Sequence, residues 1–407
     1  MYLVLIIINL FLLSSCNSQE SPKIEMLNIA ENKSTTQDIA KLNNFKQIDE
    51  ENEKIYNTRQ NAITRAVSHA SDAVVGINIT ETKRVVYRNS NPFANDEFFG
   101  RFFRRYRSAP RIREYEVKGL GTGFIISPDG YILTNHHVAG SASKVVITLT
   151  DGTEHQAEII GTDFTTDVAL LKIEAKDLPY LKLADSDNLI IGEWVIALGN
   201  PFGLFDKNAK PTVTVGVVSN KGVDFVQEDN NEYRVYKDMI QTDAAISSGN
   251  SGGPLINALG EVIGMNTIIY STATDGKGAG SIGIGFSIPI NRVRDIVKKL
   301  IDNKTLNRNF YTGLDVKLLD KKLQAYLKLD IDRGLIVYSI LKNSPAFLSG
   351  LEPGDLILSI NDRKIIDQED YIIAIYDNFV GDKINFRILR NGKELSKTLI
   401  LVPRPGE

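Results

Sequence analysis

The chain has a single cysteine, Cys16, in 407 residues. Beyond that position there is nothing to build a disulfide or a thiolate metal site. Charge bias is missing as well: the net charge is −3, a balance that points to neither nucleic acid nor an acidic substrate. Histidine is scarce, with four residues in all, so the adjacent pair His136 and His137 stands out. Long hydrophobic runs are also lacking. Leu3–Leu13 is almost wholly apolar, but it has the length of a signal-peptide core and is too short to span a bilayer.

What is present begins at that run. It ends in Leu13-Ser14-Ser15-Cys16, which resembles a bacterial lipoprotein box, with small residues before a cysteine that is lipidated and becomes the mature N-terminus. No Lys or Arg precedes the run, so a plain secretory signal or short anchor with an incidental cysteine is the alternative. Each reading puts the rest of the chain outside the cytoplasm. Residues 17–60 are rich in Asn, Lys, Glu, Gln and Ser and read as a polar tether off a membrane. At 407 residues the chain is long for one domain and suits two or three.

Ile63, Val67 and Ala70 lie at helical spacing and lead into a first strand at Ala73–Ile79. From about Glu81 to Val117 the pattern breaks. Arg101, Arg104, Arg105, Arg107, Arg111 and Arg113 interleave there with Phe98, Phe99, Phe102, Phe103 and Tyr106. Such a mixture can stack single-stranded nucleic acid, but an exported protein has little use for that. A long loop packing its aromatics on a partner subunit or its own domain is preferred, and no nucleic-acid partner is expected. Short strands follow at 123–126, 131–134, 145–149, 168–173, 194–198, 213–218, 255–256, 262–269 and 285–288, separated by turns such as Ser127-Pro128-Asp129-Gly130. This is a mainly β pattern of barrel or sandwich type. Asn291–Leu300 switches to helical period and closes a domain near Asp302-Asn303-Lys304.

Ser251 sits between Gly249 and Gly252-Gly253. Glycine is kept where the backbone needs positive φ or close approach. Here it would let the amides of Gly249 and Ser251 converge as an oxyanion hole beside a nucleophilic hydroxyl, with Asn250 between them. A base is available in Thr134-Asn135-His136-His137-Val138, just after a strand. An orienting acid is available in Asp167, at the mouth of the apolar strand that follows. Asp163 is the runner-up, set in a turn. The two histidines do not suit a metal, because adjacent side chains diverge and no third ligand is near. No metal or cofactor is expected. The order His137, Asp167, Ser251 is that of the chymotrypsin-type double barrel.

These pieces, with Gly121-Thr122-Gly123-Phe124, Thr166-Asp167-Val168-Ala169-Leu170, Gly199-Asn200-Pro201-Phe202-Gly203, Gln241-Thr242-Asp243-Ala244-Ala245-Ile246 and Gly283-Ile284-Gly285-Phe286-Ser287-Ile288-Pro289, resemble the HtrA (DegP-like) family of envelope serine proteases. The resemblance implies that His137, rather than His136, is the base, and that the Arg- and Phe-rich segment is a regulatory loop. It implies a trypsin-like protease domain over 61–303 with the triad His137, Asp167 and Ser251. Ala245 stands where trypsin-like pockets carry an aspartate, which implies an apolar S1 pocket from Ala245, Ile246, Thr267 and Ile284. Asn250 cannot pair with a newly cut N-terminus, which implies activation by loop ordering.

Tyr311-Thr312-Gly313-Leu314, Asn343–Leu351 and Pro353-Gly354-Asp355 resemble a protease-associated PDZ domain over 309–403. Its Tyr311–Leu314 amides would hold a peptide C-terminal carboxylate while the peptide adds as a strand. The HtrA resemblance further implies a periplasmic quality-control endopeptidase acting on unfolded or damaged polypeptides, assembled as a homotrimer or a higher multiple, while the lipoprotein box implies attachment to a membrane through lipid on Cys16. The alternative is a chaperone or stress-sensing adaptor with a narrow regulatory cleavage role.

Overall fold

The computed structural model describes residues 48–49, 51–87, 111–200, 210–229, 232–247, 249–269, 283–303, 306–327, 331 and 333–405. Cys16 and the Phe98–Arg107 stretch fall outside them. The chain divides into two compact units, residues 1–59 and 60–407. In the first, residues 51–58 form an exposed helix.

The second unit opens on helix α1 (Ala62–Ala70), capped by Asn61, whose side-chain oxygen accepts the Thr64 amide at 3.0 Å. Ala66 and Ala70 are buried beneath it, with Ile63 and Val67 packed alongside, as their spacing predicts. Six strands then close a barrel in the order β1-β2-β3-β6-β5-β4. They are β1 (Val74–Tyr87), β2 (Arg111–Ile125), β3 (Tyr131–Thr134), β4 (Lys144–Thr148), β5 (Glu154–Asp163) and β6 (Val168–Ile173). Phe124, Ile132, Leu133 and Leu170 are wholly inaccessible inside it.

A second barrel closes in the order β10-β11-β12-β9-β8-β7. Its strands are β7 (Trp194–Gly199), β8 (Thr212–Asp229), β9 (Glu232–Thr242), β10 (Pro254–Ile256), β11 (Val262–Ile269) and β12 (Gly285–Pro289). Helix α3 (Ile290–Asn303), numbered after the short α2 (His136–Ala139), lays Val293, Ile296, Val297 and Leu300 on the core.

Two expectations need correction. Strands β1 and β2 do not stop at Glu81 and Val117; they stay paired out to Tyr87 opposite Arg111. Charges at Glu81, Lys83 and Arg84 hide the alternation, while the backbone ladder pairs regardless of side chain. Strand β8 likewise runs past Val218 to Asp229, paired with a β9 that the sequence pattern does not reveal. The outer part of this hairpin buries its apolar residues away from the barrel: Val235 is wholly buried among residues of the C-terminal sheet, with Val226 and Tyr233 beside it.

That sheet runs in the order β14-β15-β16-β18-β19, with β17 paired to β16. The strands are β13 (Phe310–Tyr311), β14 (Leu314–Leu318), β15 (Leu335–Ile340), β16 (Leu356–Ile360), β17 (Arg363–Lys364), β18 (Lys383–Arg390), β19 (Lys393–Ile400) and β20 (Val402–Pro403). β13 and β20 pair at the entry and exit. The helices are α4 (Lys321–Leu327), α5 (Pro345–Leu348) and α6 (Gln368–Tyr376). Ser344 caps α5 and Asp367 caps α6 through their side-chain oxygens.

Candidate active site

Strand β3 delivers its buried end, Thr134, to a turn at Asn135, and α2 starts at once with His136 and His137. Opposite, the turn Phe164–Thr166 feeds β6 through Asp167, whose φ is +59°. A non-glycine residue in the left-handed region is strained unless its surroundings hold it. Here they do. The Asp167 carbonyl accepts the His136 amide and the Asn135 side-chain amide, both at 3.1 Å. Its Oδ1 accepts the His137 amide at 3.0 Å, and its Oδ2 faces His137 Nδ1 at 2.8 Å. The same carboxylate thus fixes the ring and the backbone that carries it.

Three more donors reach this buried group. Thr267 Oγ1 donates to Oδ2 at 2.7 Å, Tyr236 Oη donates to Oδ2 at 3.3 Å, and Arg234 Nη1 donates to Oδ1 at 2.7 Å. Burial alone would raise the Asp167 pKa, but the His137 imidazole, the Arg234 guanidinium and the hydrogen bonds outweigh it and hold the carboxyl below its usual range. Burial raises the Tyr236 phenol far above its ordinary value, so it stays a neutral donor. His136 turns the other way, edge-on to Phe164 with ring centroids 5.4 Å apart. Its burial and the nearby Arg234 lower its pKa, and its Nδ1 has no hydrogen-bond partner among the described residues. His137, with a side chain 37% exposed, is therefore the imidazole that meets solvent and carboxylate together.

Ser251 lies in the loop that enters β10 and meets the first barrel at Thr122. Its Oγ donates to the Thr267 carbonyl at 2.9 Å, and it makes no hydrogen bond to His137. Gly249 has φ +99° and Gly252 φ +83°. A Cβ on Gly252 would sit 2.2 Å from both the Thr122 carbonyl and Thr134 Oγ1, so no side chain fits. Thr122, from β2, staples the loop to the first barrel: its amide donates to the Ser251 carbonyl at 3.2 Å and its hydroxyl to the Gly249 carbonyl. The amides of Gly249 and Ser251 make no hydrogen bond among the described residues. The Asn250 amide is different, since it donates to the Ser247 carbonyl at 2.9 Å. Of the three residues Gly249, Asn250 and Ser251, Asn250 thus has its backbone amide engaged within the loop.

The four residues expected to form an apolar S1 pocket differ in their surroundings. Ile246 is wholly buried in the second barrel's core, and the Thr267 hydroxyl is committed to Asp167. Ala245 is exposed and Ile284 half-buried. Asp163 is no alternative orienter either: it is a buried partner of Arg308, at 2.8 and 2.9 Å, and of Thr166.

In the C-terminal sheet, Tyr311, Thr312, Gly313 and Leu314 come together on one groove of about 510 Å³, with Tyr371, Ile375 and Arg404 on its other walls. Gly313 has φ +68°, and a Cβ there would lie 2.1 Å from that of Ser344. Among the described residues β14 pairs only with β15, and its other edge lines the groove without a strand partner.

Sequence reasoning missed Arg234, Tyr236 and the role of Thr122. A basic and an aromatic residue two apart in a strand share one face, but nothing local says which carboxylate they meet.

A trypsin-like peptidase domain model matches residues 121–265, and a PDZ domain model matches residues 311–401. A DegP-like periplasmic serine endoprotease of Chlamydia muridarum is 41% identical over 329 residues, covering 80% of this chain and 62% of the relative. The chain thus spans under two thirds of that relative's length. A DegP-like periplasmic serine endoprotease of Pseudomonas fluorescens is 39% identical, covering 84% of this chain and 71% of the relative. Among solved structures, the HtrA-type protease AlgW with a decapeptide superposes with TM-score 0.60 at 36% identity, covering 84% of this chain and 98% of that one.

Proposed function

Because this chain belongs to the HtrA-type, DegP-like family of serine endoproteases, we propose that it hydrolyses peptide bonds in unfolded or damaged polypeptides of the cell envelope, with domains at 61–303 and 309–403. The observation that carries this reading is the Asp167–His137 hydrogen bond of 2.8 Å, together with a serine in a glycine-flanked loop whose Gly249 and Ser251 amides make no hydrogen bond among the described residues.

In the proposed reaction the Ser251 hydroxyl leaves the Thr267 carbonyl by a rotation about χ1 and turns to His137. His137 takes its proton as Oγ bonds to the substrate carbonyl carbon. The carbonyl oxygen becomes an oxyanion held by the Gly249 and Ser251 amides. Asp167 holds the imidazole tautomer and stabilises the imidazolium, which then protonates the leaving amine. Water repeats the sequence to release the acyl group. Digestion of β-casein by the wild type and by Ser251→Ala tests this, with a loss on the order of 10⁴ to 10⁶ in rate expected. Casein left intact by both, with aggregation of a client suppressed by both, would replace the reading with an adaptor.

The groove at Tyr311–Leu314 is proposed to take peptide C-termini, the open β14 edge pairing with the peptide backbone. Location in the periplasm, supported by the names of the relatives, is proposed with lipid on Cys16 as the anchor. Unchanged membrane partitioning of Cys16→Ala would remove the anchor. Assembly as a homotrimer or a multiple of it is proposed from family membership, and light scattering measures it.

A further inference from the structure

Arg234 belongs to no Ser-His-Asp relay, yet it holds the other oxygen of the carboxylate that orients the base. Its Nη1 lies 2.7 Å from Asp167 Oδ1, with the side chain 9% exposed and Asp167 wholly buried. Solvent and salt therefore screen the pair very little. The guanidinium also lies over the Phe164 ring, 4.2 Å from its centroid, and donates to the Phe164 carbonyl at 3.4 Å. It is thus clamped on the turn that forces Asp167 to positive φ, and it keeps its charge at every working pH.

The neighbouring groups do not cancel it. From β5, Asp163 is taken up by Arg308. From α2, burial keeps His136 on the neutral side, and from β9 burial does the same for Tyr236. From β11 comes only the Thr267 hydroxyl. The local charge is therefore one carboxylate shared between one imidazole and one guanidinium. We infer that Arg234 is a positioning residue: by holding Oδ1 of Asp167 it takes up part of the charge of that carboxylate and limits the pull of Oδ2 on the His137 ring.

The test has two arms. One follows kcat/KM against pH for wild type, Arg234→Gln and Arg234→Lys, and it rests on the peptidase reading above. The other follows the His137 imidazole by ¹⁵N NMR titration in a Ser251→Ala background, which needs no turnover and so stands if that reading fails. Arg234→Gln should move the acid midpoint up by about one pH unit in both arms, and Arg234→Lys should restore it. Should the glutamine variant not fold, as its melting temperature will tell, Arg234→Met supplies a second neutral side chain. A neutral variant that loses rate equally at all pH values, with an unmoved NMR midpoint, makes Arg234 merely structural and overturns the inference. A lysine variant that shifts as far as glutamine overturns it too.

Discussion

At the scale of single residues, the site is built from backbone positions that only certain residues can occupy. Gly249, at φ +99°, carries one of the two amides that make no hydrogen bond among the described residues. A β-branched side chain in that region costs about 1–3 kcal/mol of local strain, which this loop would relieve by turning the amide away. Gly249→Val should lower turnover of casein at least about a hundredfold, while circular dichroism and the melting midpoint stay close to wild type. Asp167 carries a second consequence. Burial opposes its ionisation, but His137 and Arg234 prevail and its folded pKa is lowered. The unfolded chain then binds the proton more readily, so this carboxylate contributes stability above its unfolded value of about 3.9 that is lost as pH falls through the folded value. Urea midpoints measured across that acid range should fall with pH, and less steeply in Asp167→Asn.

At the scale of elements, the β8–β9 hairpin serves two cores at once. Arg234 and Tyr236 turn inward to Asp167, while Val235 between them is wholly buried in the C-terminal sheet's core. Alternating faces of one strand make this possible. Val235→Ala should cost about 2 kcal/mol in urea unfolding, a loss that a residue on a free hairpin would not show. The groove edge is a second case. Gly313→Val places a Cβ onto Ser344 at a φ of +68°, so calorimetry with a C-terminal peptide should show binding lost. Gly313 and Ser251 were both legible in the sequence, because their glycines answer local backbone demands. β9 was not, because its apolar residues face two different cores and leave no single alternation to read.

At the scale of the whole molecule, buried charges join the barrels to the C-terminal sheet. Arg308 meets Asp163 through two nitrogens, donates to the Tyr376 carbonyl at 2.9 Å, and packs over Phe379 at 4.1 Å. Arg292 grips Asp377 in the same fork-like way, at 2.7 and 3.1 Å. Removing one partner of such a pair leaves an uncompensated buried charge, so Arg308→Met should cost about 3–5 kcal/mol. The urea transition should also broaden or split as the two lobes stop unfolding together. Sequence by itself determined the double-barrel order of base, acid and nucleophile, the glycine-shaped loops and the presence of a second β domain, since each is written in contiguous residues. Tertiary structure alone decided that the Asn250 backbone amide is taken by the Ser247 carbonyl, that Ile246 lies in the second barrel's core, and that Arg234 reaches an aspartate 67 residues away. The physical reason is that a motif encodes the local backbone geometry it needs, whereas the partner of a buried charge is fixed only when distant strands pack.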